Sequence, residues 1–457
     1  MNPQRPNIVL INCDDLGYGD LGCYGSERND TPHIDSLARN GLRLTDFYMG
    51  SPVCSASRAA MLTGCYPPRI GFGASPVLFP GQDIGLSTRE TTIAKALQAA
   101  GYKTQIVGKW HCGDQPEFLP TRHGFDHYFG IPFSNDMGRQ SNHPDRPPLP
   151  LLRDETVIQE QPDQRGVTER YADECLRFIE DNRDSPFFLY LAHMYVHVPL
   201  FVSKPFLEAS RNGAYGGAVA AIDWCTGMIV ERLRKCGLLE NTLLIFTSDN
   251  GSRARDEGGS NAPCRGTKGT TWEGGQRVPC IFHWPAVIEP GRTYEPLARS
   301  IDLFPTLCRL AGGNEKGDLP IDGVDLSEVL THGKSEPVAE SFAYYQGEAL
   351  EAVRLGDWKL HFAKNGGREV IHELYHLRED PGESENLFDE KPEIVAKIQR
   401  HADRIRQETG DNRLGMEGNV RRPAGRVEDA QPLTGYDPAY PYIIAMYDLP
   451  DMPTMSG

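Results

Sequence analysis

Short strand-like runs and helical segments alternate along most of the chain. The strand-like runs are "NIVLIN" (7–12), "KTQIV" (103–107), "FFLYLA" (187–192) and "TLLIFTS" (242–248). The helical segments are "TPHIDSLARNG" (31–41), "TTIAKALQAAGY" (91–102), "VTERYADECLRFIEDN" (167–182) and a long amphipathic stretch over 217–236. Strands that alternate with helices of this length predict an α/β fold, in which helices sandwich a large, mostly parallel mixed sheet.

The pattern changes near "THGKSEPVAES" (331–341). The runs "SFAYYQG", "EAVRLGDWKLHFA" and "HELYHL" follow one another with turn residues and no helix between them. They predict a smaller C-terminal antiparallel sheet, followed by the helix "KPEIVAKIQRHADRIRQ". We therefore divide the chain into a main domain over 1–335 and a small antiparallel-sheet subdomain over 336–457, whose last forty or so residues form an extended tail packed on the body.

Charge and hydropathy exclude some classes of protein. The net charge is −16, with 63 acidic against 47 basic residues, whereas a nucleic-acid binder normally presents a basic face. No run approaches the roughly 20 apolar residues that span a bilayer, so we expect no membrane segment. The start "MNPQRPNIVLIN" lacks a signal peptide, which predicts a cytoplasmic protein as given, or a periplasmic or secreted one if the N-terminus was trimmed.

The eleven cysteines are an odd number and none forms a C-x-x-C pair. Neither a zinc knuckle nor a thioredoxin motif is therefore supported, and most of these cysteines are expected to be buried small hydrophobes. Cys54 differs, because it opens the helical stretch "CSASRAAMLTG" with Arg58 one turn later. A helix N-terminus and a cation favour an anion there, which fits a thiolate of low pKa.

Two strand-like runs end in acidic pairs. "NIVLINCDD" delivers Asp14 and Asp15, and "TLLIFTSDNG" delivers Asp249 and Asn250. If the strands are neighbours, these oxygens meet at one sheet edge and require a hard cation, Ca²⁺ or Mg²⁺. The alternative is that each pair caps a helix or turn. Sulfur suits such a cation poorly, which suggests that the working group at position 54 is an oxygen species made from the cysteine.

Basic residues at other strand ends could complete a pocket. Lys109 and His111 lie in "GKWHCG" after a strand, His197 follows "FFLYLA", and Lys268 lies in the glycine-rich stretch "RGTKGTTWEGGQRVP". Each has a structural alternative, as a surface lysine or a hydrogen-bonded core histidine. The sequence places most of them at strand ends and does not establish that they converge.

Several motifs match one family in its order. "CSASRAAMLTG", "GKWHCG", "SDNGS" and "GTKGTTWEGGQRVP" resemble the signature blocks of the type I, formylglycine-dependent sulfatases of the alkaline phosphatase superfamily. "GIPFSNDMG" and "LYHLREDPGESENL" are most similar to arylsulfatase A and its relatives. The resemblance implies an alkaline phosphatase-like fold, with the 1–335 region as the catalytic domain, and a sulfuric ester hydrolase that cleaves aryl sulfates or sulfated sugars.

The resemblance also implies a mechanism. A formylglycine-generating enzyme oxidises Cys54, and the aldehyde hydrate attacks sulfur to give a covalent sulfo-enzyme intermediate. Arg58 and Lys109 orient the hydrate, His111 is the base that releases sulfate, and His197 and Lys268 bind sulfate and protonate the leaving oxygen. Ser134 matches a position near the sulfate. Calcium, or magnesium as the second choice, would be held by a set of five residues: Asp14, Asp15, Asp249, Asn250 and the residue at 54.

Some alternatives stay open at this point. Ala56 stands where the family most often has proline, which leaves the route of Cys54 oxidation undefined. A phosphonate or phosphate ester hydrolase of the same superfamily and a non-catalytic binder of sulfated glycans are the rival functions. The net charge favours small or terminal substrates over long polyanions. We expect specificity to lie in loops such as "GASPVLFPGQDIG" and "RQSNHPDRPPLP", while the oligomeric state is not indicated.

Overall fold

The computed structural model describes residues 5–140, 143–313 and 319–442. Its strands, numbered along the chain, are β1 (Asn7–Cys13), β2 (Leu42–Leu44), β3 (Phe47–Tyr48), β4 (Ile84–Gly85), β5 (Lys103–Gly108), β6 (His127–Gly130), β7 (Pro150–Arg153), β8 (Thr156–Glu160), β9 (Phe187–Ala192), β10 (Thr242–Ser248), β11 (Cys280–His283), β12 (Arg292–Tyr294), β13 (Ala298–Arg299), β14 (Ser341–Gln346), β15 (Ala349–Leu355), β16 (Trp358–Lys364), β17 (Glu369–His376) and β18 (Gly425–Arg426).

The α-helices of the described residues are α1 (Pro32–Arg39), α2 (Cys54–Thr63), α3 (Ile93–Ala99), α4 (Val167–Asp181), α5 (Lys204–Ala209), α6 (Gly213–Lys235), α7 (Glu273–Gln276), α8 (Leu303–Leu310), α9 (Ser327–Thr331) and α10 (Pro392–Thr409). The predicted long helix begins at Gly213 and not at Gly217, because three glycines and a tyrosine precede the first apolar repeat and conceal its start. None of the described helices is long and apolar enough to cross a bilayer.

A ten-stranded mixed sheet forms the centre of the main domain. Its order is β12-β2-β11-β10-β1-β9-β5-β6-β7-β8. The five middle strands from β10 to β6 run parallel. β11 pairs antiparallel with β10 at one side of this group, and β7 pairs antiparallel with β6 at the other. β1 and β10 are fully buried apolar runs, which is typical of parallel strands covered on both faces. The predicted α/β sandwich is confirmed.

Two hydrophobic clusters lie on the two faces of this sheet. The side chains of β1 alternate between them: Ile8 and Leu10 belong to the cluster under α2, α3 and α8, and Val9 and Ile11 to the cluster under α4 and α6. Since successive side chains of a strand point to opposite faces, one apolar strand serves both layers. The sheet is thereby held rigid from both sides, and its strand ends have fixed positions.

The C-terminal sheet is separate and has the order β14-β15-β16-β17, all antiparallel. α10 packs on it through Ile398 and Ala402. The small antiparallel sheet with its helix is thus confirmed, while the boundary at residue 335 stays a prediction. The tail over 410–442 lies against the main domain, where β18 pairs with β4, and the predicted tail beyond residue 442 lies outside the described residues.

Candidate active site

Four adjacent parallel strands end at one place on the sheet. β10, β1, β9 and β5 are neighbours in this order, and their registers align Cys13 with Ser248 and Gly108 with Ala192. The carboxyl ends of parallel strands face the same edge of a sheet, where α/β proteins bind their ligands. The residues that follow these four ends are the predicted site residues, namely Asp14, Asp15, Asp249, Asn250, Lys109 and, five residues beyond β9, His197.

The two acidic pairs lie against each other. The backbone N–H of Asp15 points to Asp249 Oδ1 at 3.3 Å, and Asn250 Nδ2 donates to Asp15 Oδ1 at 2.7 Å. All of these side chains are buried. Asp15 has a φ of +61°, an unusual conformation for a residue other than glycine that the neighbouring strand ends hold in place.

Helix α2 presents its N-terminus to this cluster, and it begins at Cys54. Cys54 Sγ lies 3.5 Å from Asp14 Oδ1. One turn later, Arg58 donates from Nε to Asp249 Oδ2 and from Nη1 to the carbonyl of Lys109, both at 2.8 Å. The helix and the sheet edge are therefore joined by buried charged hydrogen bonds, which fix residue 54 next to the carboxylates.

The predicted cations converge on the same carboxylates. Lys109 Nζ is 2.5 Å from Asp14 Oδ2 and 3.2 Å from Ser134 Oγ. Lys268 Nζ donates to Asp15 Oδ2 at 3.0 Å, and His197 Nε2 is 3.9 Å from the same oxygen. Gly108 allows the sharp exit of β5 before Lys109, since its φ is +113° and a Cβ there would meet the Ala192 carbonyl at 1.8 Å.

His111 lies close to Lys109 and Arg58. Its Nε2 is 2.9 Å from the carbonyl oxygen of Leu78, and its Nδ1 has no hydrogen-bond partner. Burial and the neighbouring Lys109 charge lower the pKa of His111 well below its usual value. His111 is therefore neutral at physiological pH and, with Nε2 donating to Leu78, carries an open acceptor on Nδ1.

The charges of the cluster perturb one another strongly. Burial alone would raise the pKa of Asp14, but Lys109, His197 and Arg58 hold it well below its usual range. Burial and the Asp14 charge raise the pKa of Asp249 to about 7. Burial and Asp14 also raise the pKa of the Cys54 thiol far above its usual value. The thiolate of low pKa considered from the sequence is therefore wrong: the helix N-terminus is outweighed by burial beside a carboxylate.

The donor set fits a hard divalent cation. Single ligand atoms of Asp14, Asp15, Cys54 and His197 lie within 4.8 Å of one another. The Oδ1 atom of Asn250 is buried beside them and accepts no hydrogen bond. An unsatisfied amide oxygen next to clustered carboxylates is what oxygen ligation by Ca²⁺ or Mg²⁺ requires.

A cavity of about 270 Å³ opens onto this cluster. It is lined by five of the predicted residues: Cys54, His111, Ser134, His197 and Lys268. The rest of its lining consists of residues that were not singled out individually as site residues from the sequence: Val53, Val77, Phe79, Asp136, Met137, Arg253, Arg255, Thr267 and Gly269. Val77 and Phe79 lie in one loop named as a specificity candidate, and position alone, two and four residues beyond "SDNG", could have drawn attention to the arginines.

Comparisons with known proteins decide the family. The family model described as Sulfatase matches residues 6–313, and the model described as N-sulphoglucosamine sulphohydrolase, C-terminal, matches residues 267–408. The chain belongs to the sulfatase family. It is a type I sulfatase of the alkaline phosphatase superfamily, and it hydrolyses sulfate esters.

This sulfatase is similar to several characterised relatives. It is 41% identical over 427 residues to arylsulfatase A of Homo sapiens, with 84% of each chain covered. It is 40% identical to N-acetylgalactosamine-6-sulfatase of Homo sapiens, covering 79% of this chain and 72% of that one. Among solved structures, Ps i-CgsB in complex with k-i-k-neocarrahexaose superposes with a TM-score of 0.77 at 28% identity, covering 91% of the sulfatase and 96% of that chain.

Proposed function

We propose that this sulfatase cleaves small or terminal sulfate monoesters with a formylglycine made from Cys54 and with Ca²⁺ at the neighbouring carboxylates. The observation that carries the proposal is the position of Cys54, which lines the cavity and lies 3.5 Å from Asp14. A thiol whose pKa burial and Asp14 raise is a poor nucleophile. An oxygen group at this position suits both the carboxylate-bound cation and attack on sulfur.

Asp14, Asp15, Asp249 and Asn250 would hold the cation, with residue 54 as the fifth ligand. Their oxygens and the buried Asn250 Oδ1 form the donor set that calcium prefers. The cation would supply positive charge next to the sulfate oxygens. The finer choice of calcium over magnesium follows from the number of oxygen ligands gathered at this edge.

The other residues act on charge and protons. Lys109 Nζ lies between Asp14 and Ser134, where it neutralises charge at position 54 and can reach a sulfate oxygen. Neutral His111 is the base, because its Nδ1 is unpaired inside the cavity wall. Lys268 and His197 lie next to Asp15 and would bind sulfate and protonate the leaving oxygen. The formylglycine hydrate supplies the oxygen nucleophile.

The first test is the mass of the tryptic peptide 44–58, purified from an active preparation. We expect the mass of an aldehyde at position 54, and we expect turnover of para-nitrophenyl sulfate to disappear in Cys54→Ala. An unmodified thiol in a fully active preparation would refute the formylglycine. Phenyl phosphonate esters assayed in parallel identify the rival activity, which would be favoured if phosphonate were hydrolysed faster than sulfate.

Calcium is tested by stability as well as activity. We expect calcium to raise the thermal midpoint of the chelator-treated protein, since a ligand at 100 times its Kd stabilises a native state by about 2.7 kcal/mol. Asp249→Asn removes a ligand charge and should weaken this response, while Asp173→Asn, on the exposed side of α4, should leave it intact. An equal calcium response in Asp249→Asn would refute the assignment.

A further inference from the structure

The outer part of the active-site cavity has two chemically different walls. Val77, Phe79 and Met137 are apolar residues of the cavity lining, and Phe79 is 51% exposed. Arg253 and Arg255 line the cavity as well, from the loop that follows the metal-site residue Asn250. A half-exposed aromatic ring beside a catalytic pocket is typical of a surface that a ligand ring covers.

The two arginines have no anionic partner in the described part of the chain. Neither guanidinium forms an ion pair there, and Nη1 of Arg253 is shielded from solvent without a hydrogen-bond partner. Arg253 is half-buried and Arg255 is exposed, whereas the buried guanidinium groups of Arg58 and Arg69 are paired with Asp249 and Asp322. A shielded and unsatisfied donor in a cavity is unfavourable unless a ligand completes it.

Two acidic side chains lie near the arginines, Asp136 in the cavity lining and Glu257 in the same loop. Asp136 is the acidic residue among the described lining residues, and its charge acts on His197, which places it on the catalytic side, although burial and Lys268 lower the pKa of His197. The Glu257 carboxylate accepts the backbone N–H of Arg255 at 3.2 Å and makes no ion pair with either guanidinium. The cavity lining therefore contains two arginines without an ion-pair partner among the described residues, and its volume of about 270 Å³ suits a ligand of about one sugar or aromatic ring.

We propose that Arg253 and Arg255 form a subsite for a second oxyanion on the substrate, a carboxylate or a further sulfate or sulfonate, carried by a ring that lies on Val77, Phe79 and Met137. The subsite rests on the proposed function, because it selects the alcohol whose sulfate that function removes. Guanidinium groups bind such planar or tetrahedral oxyanions with paired hydrogen bonds. The net charge of −16 disfavours long polyanions, so the preferred substrate is a small ester with one additional anion.

The test uses matched aryl sulfates that differ in one substituent. These are meta-carboxyphenyl sulfate, meta-sulfophenyl sulfate and the neutral meta-carbamoylphenyl sulfate, together with the three para isomers. The measured quantity is the ratio of kcat/KM for each anionic ester to that for the neutral ester. We expect the wild-type ratio to fall by about tenfold in the double variant Arg253→Gln/Arg255→Gln, because hydrogen bonds to charged groups of this kind change binding by that order.

A matched control is Arg183→Gln. Arg183 is exposed and precedes the amino end of β9, whereas the active site lies at the carboxyl ends of the strands. Its ratios should equal those of the wild type. Carboxylate and sulfonate esters distinguish the two kinds of oxyanion. If the double variant hydrolyses all esters with the wild-type ratio, the subsite is refuted while the proposed function stands. If wild-type protein carrying formylglycine hydrolyses none of the esters, the proposed function itself fails.

Discussion

Two buried clusters of charged side chains differ in how many of their polar atoms have hydrogen-bond partners. The active-site cluster comprises Asp14, Asp15, Arg58, Lys109, Asp249 and Asn250. The interdomain cluster comprises Glu273, Tyr344, Lys359, His361 and Glu383, and it lies between α7 and the C-terminal sheet. The charged side chains of both clusters are almost fully shielded from solvent.

The interdomain cluster is nearly complete. Lys359 Nζ is 3.0 Å from Glu273 Oε1, 2.8 Å from Glu383 Oε1 and 2.8 Å from the carbonyl of Thr271. Tyr344 donates its hydroxyl to Glu273 at 2.7 Å, and Glu383 accepts the backbone N–H of Glu273 at 2.8 Å. One atom of the cluster, Nδ1 of His361, has no hydrogen bond.

The active-site cluster is incomplete by comparison. Oδ1 of Asn250 and Nη2 of Arg58 have no hydrogen-bond partner, and Nδ1 of the neighbouring His111 has none. Buried polar groups are normally satisfied, so these open positions require an explanation. Completion by a cation and by a substrate provides it. A buried cluster whose polar groups are nearly all hydrogen-bonded thus indicates a structural role. A cluster that faces a cavity and has polar groups without partners indicates a catalytic or binding role.

The largest effect is expected in the interdomain cluster, from Lys359→Met. Removing this cation leaves Glu273 and Glu383 buried without it, and breaking a buried pair costs about 3–5 kcal/mol of unfolding free energy. Urea unfolding monitored by tryptophan fluorescence measures the loss. The control Lys364→Met, on the same strand in a partly exposed pair with Glu369, should cost less than about 1 kcal/mol. Equal losses in both variants would break the comparison.

The active-site cluster should show the opposite pattern, in Lys268→Met. A positioned cation at a developing charge contributes about 10²–10³ in rate, so kcat for para-nitrophenyl sulfate should fall by that factor. Lys204→Met serves as the control, since Lys204 is 82% exposed on α5. If kcat of Lys268→Met stayed within threefold of the wild-type value, Lys268 would have no catalytic role. Its hydrogen bond to Asp15 would then serve only the structure.

The sequence predicts the active-site cluster better than the interdomain cluster, for a physical reason. Asp14, Asp249 and Lys109 directly follow apolar strands, and parallel strands bring their carboxyl ends together whatever the loops do. Lys359 and Glu383 lie on a strand and in a turn of a separate sheet, and no local pattern states that they meet Glu273. The positions of His111, His197 and Lys268 made them candidates and family resemblance gave them roles, whereas their convergence required the three-dimensional structure.

The position of Arg253 and Arg255 along the chain draws attention to them, but their place in the cavity could not be predicted, for a related reason. Their loop follows Asn250, but whether it turns toward the cavity depends on contacts such as that of Ser252 Oγ with the backbone N–H of Ala254 at 3.0 Å. The raised pKa of Cys54 is likewise a property of burial and of the distance to Asp14. Neither quantity is encoded in the spacing of residues along the chain.

The smallest effect is expected at His123. This prediction tests whether a buried polar group without a hydrogen-bond partner must face the cavity to have a role in the reaction. His123 is buried against Trp110 at 5.4 Å between ring centroids, and neither ring nitrogen has a hydrogen-bond partner. It does not line the active-site cavity. Burial lowers its pKa to about 3, so that between pH 6.5 and 3 the unfolded chain binds a proton that the folded protein does not. The wild-type protein therefore loses stability as the pH falls through this window.

His123→Phe removes this proton linkage and keeps an aromatic ring next to Trp110. We expect its unfolding free energy, relative to that of the wild type, to rise by about 2 kcal/mol between pH 7 and pH 5, since each pKa unit corresponds to about 1.4 kcal/mol. The measurement is urea unfolding of both proteins at each pH, together with kcat at pH 7, which should not change. A loss of kcat would show that unsatisfied buried groups away from the cavity also serve the reaction. Access to the cavity would then no longer be part of what distinguishes the two clusters, and only their degree of hydrogen bonding would separate them.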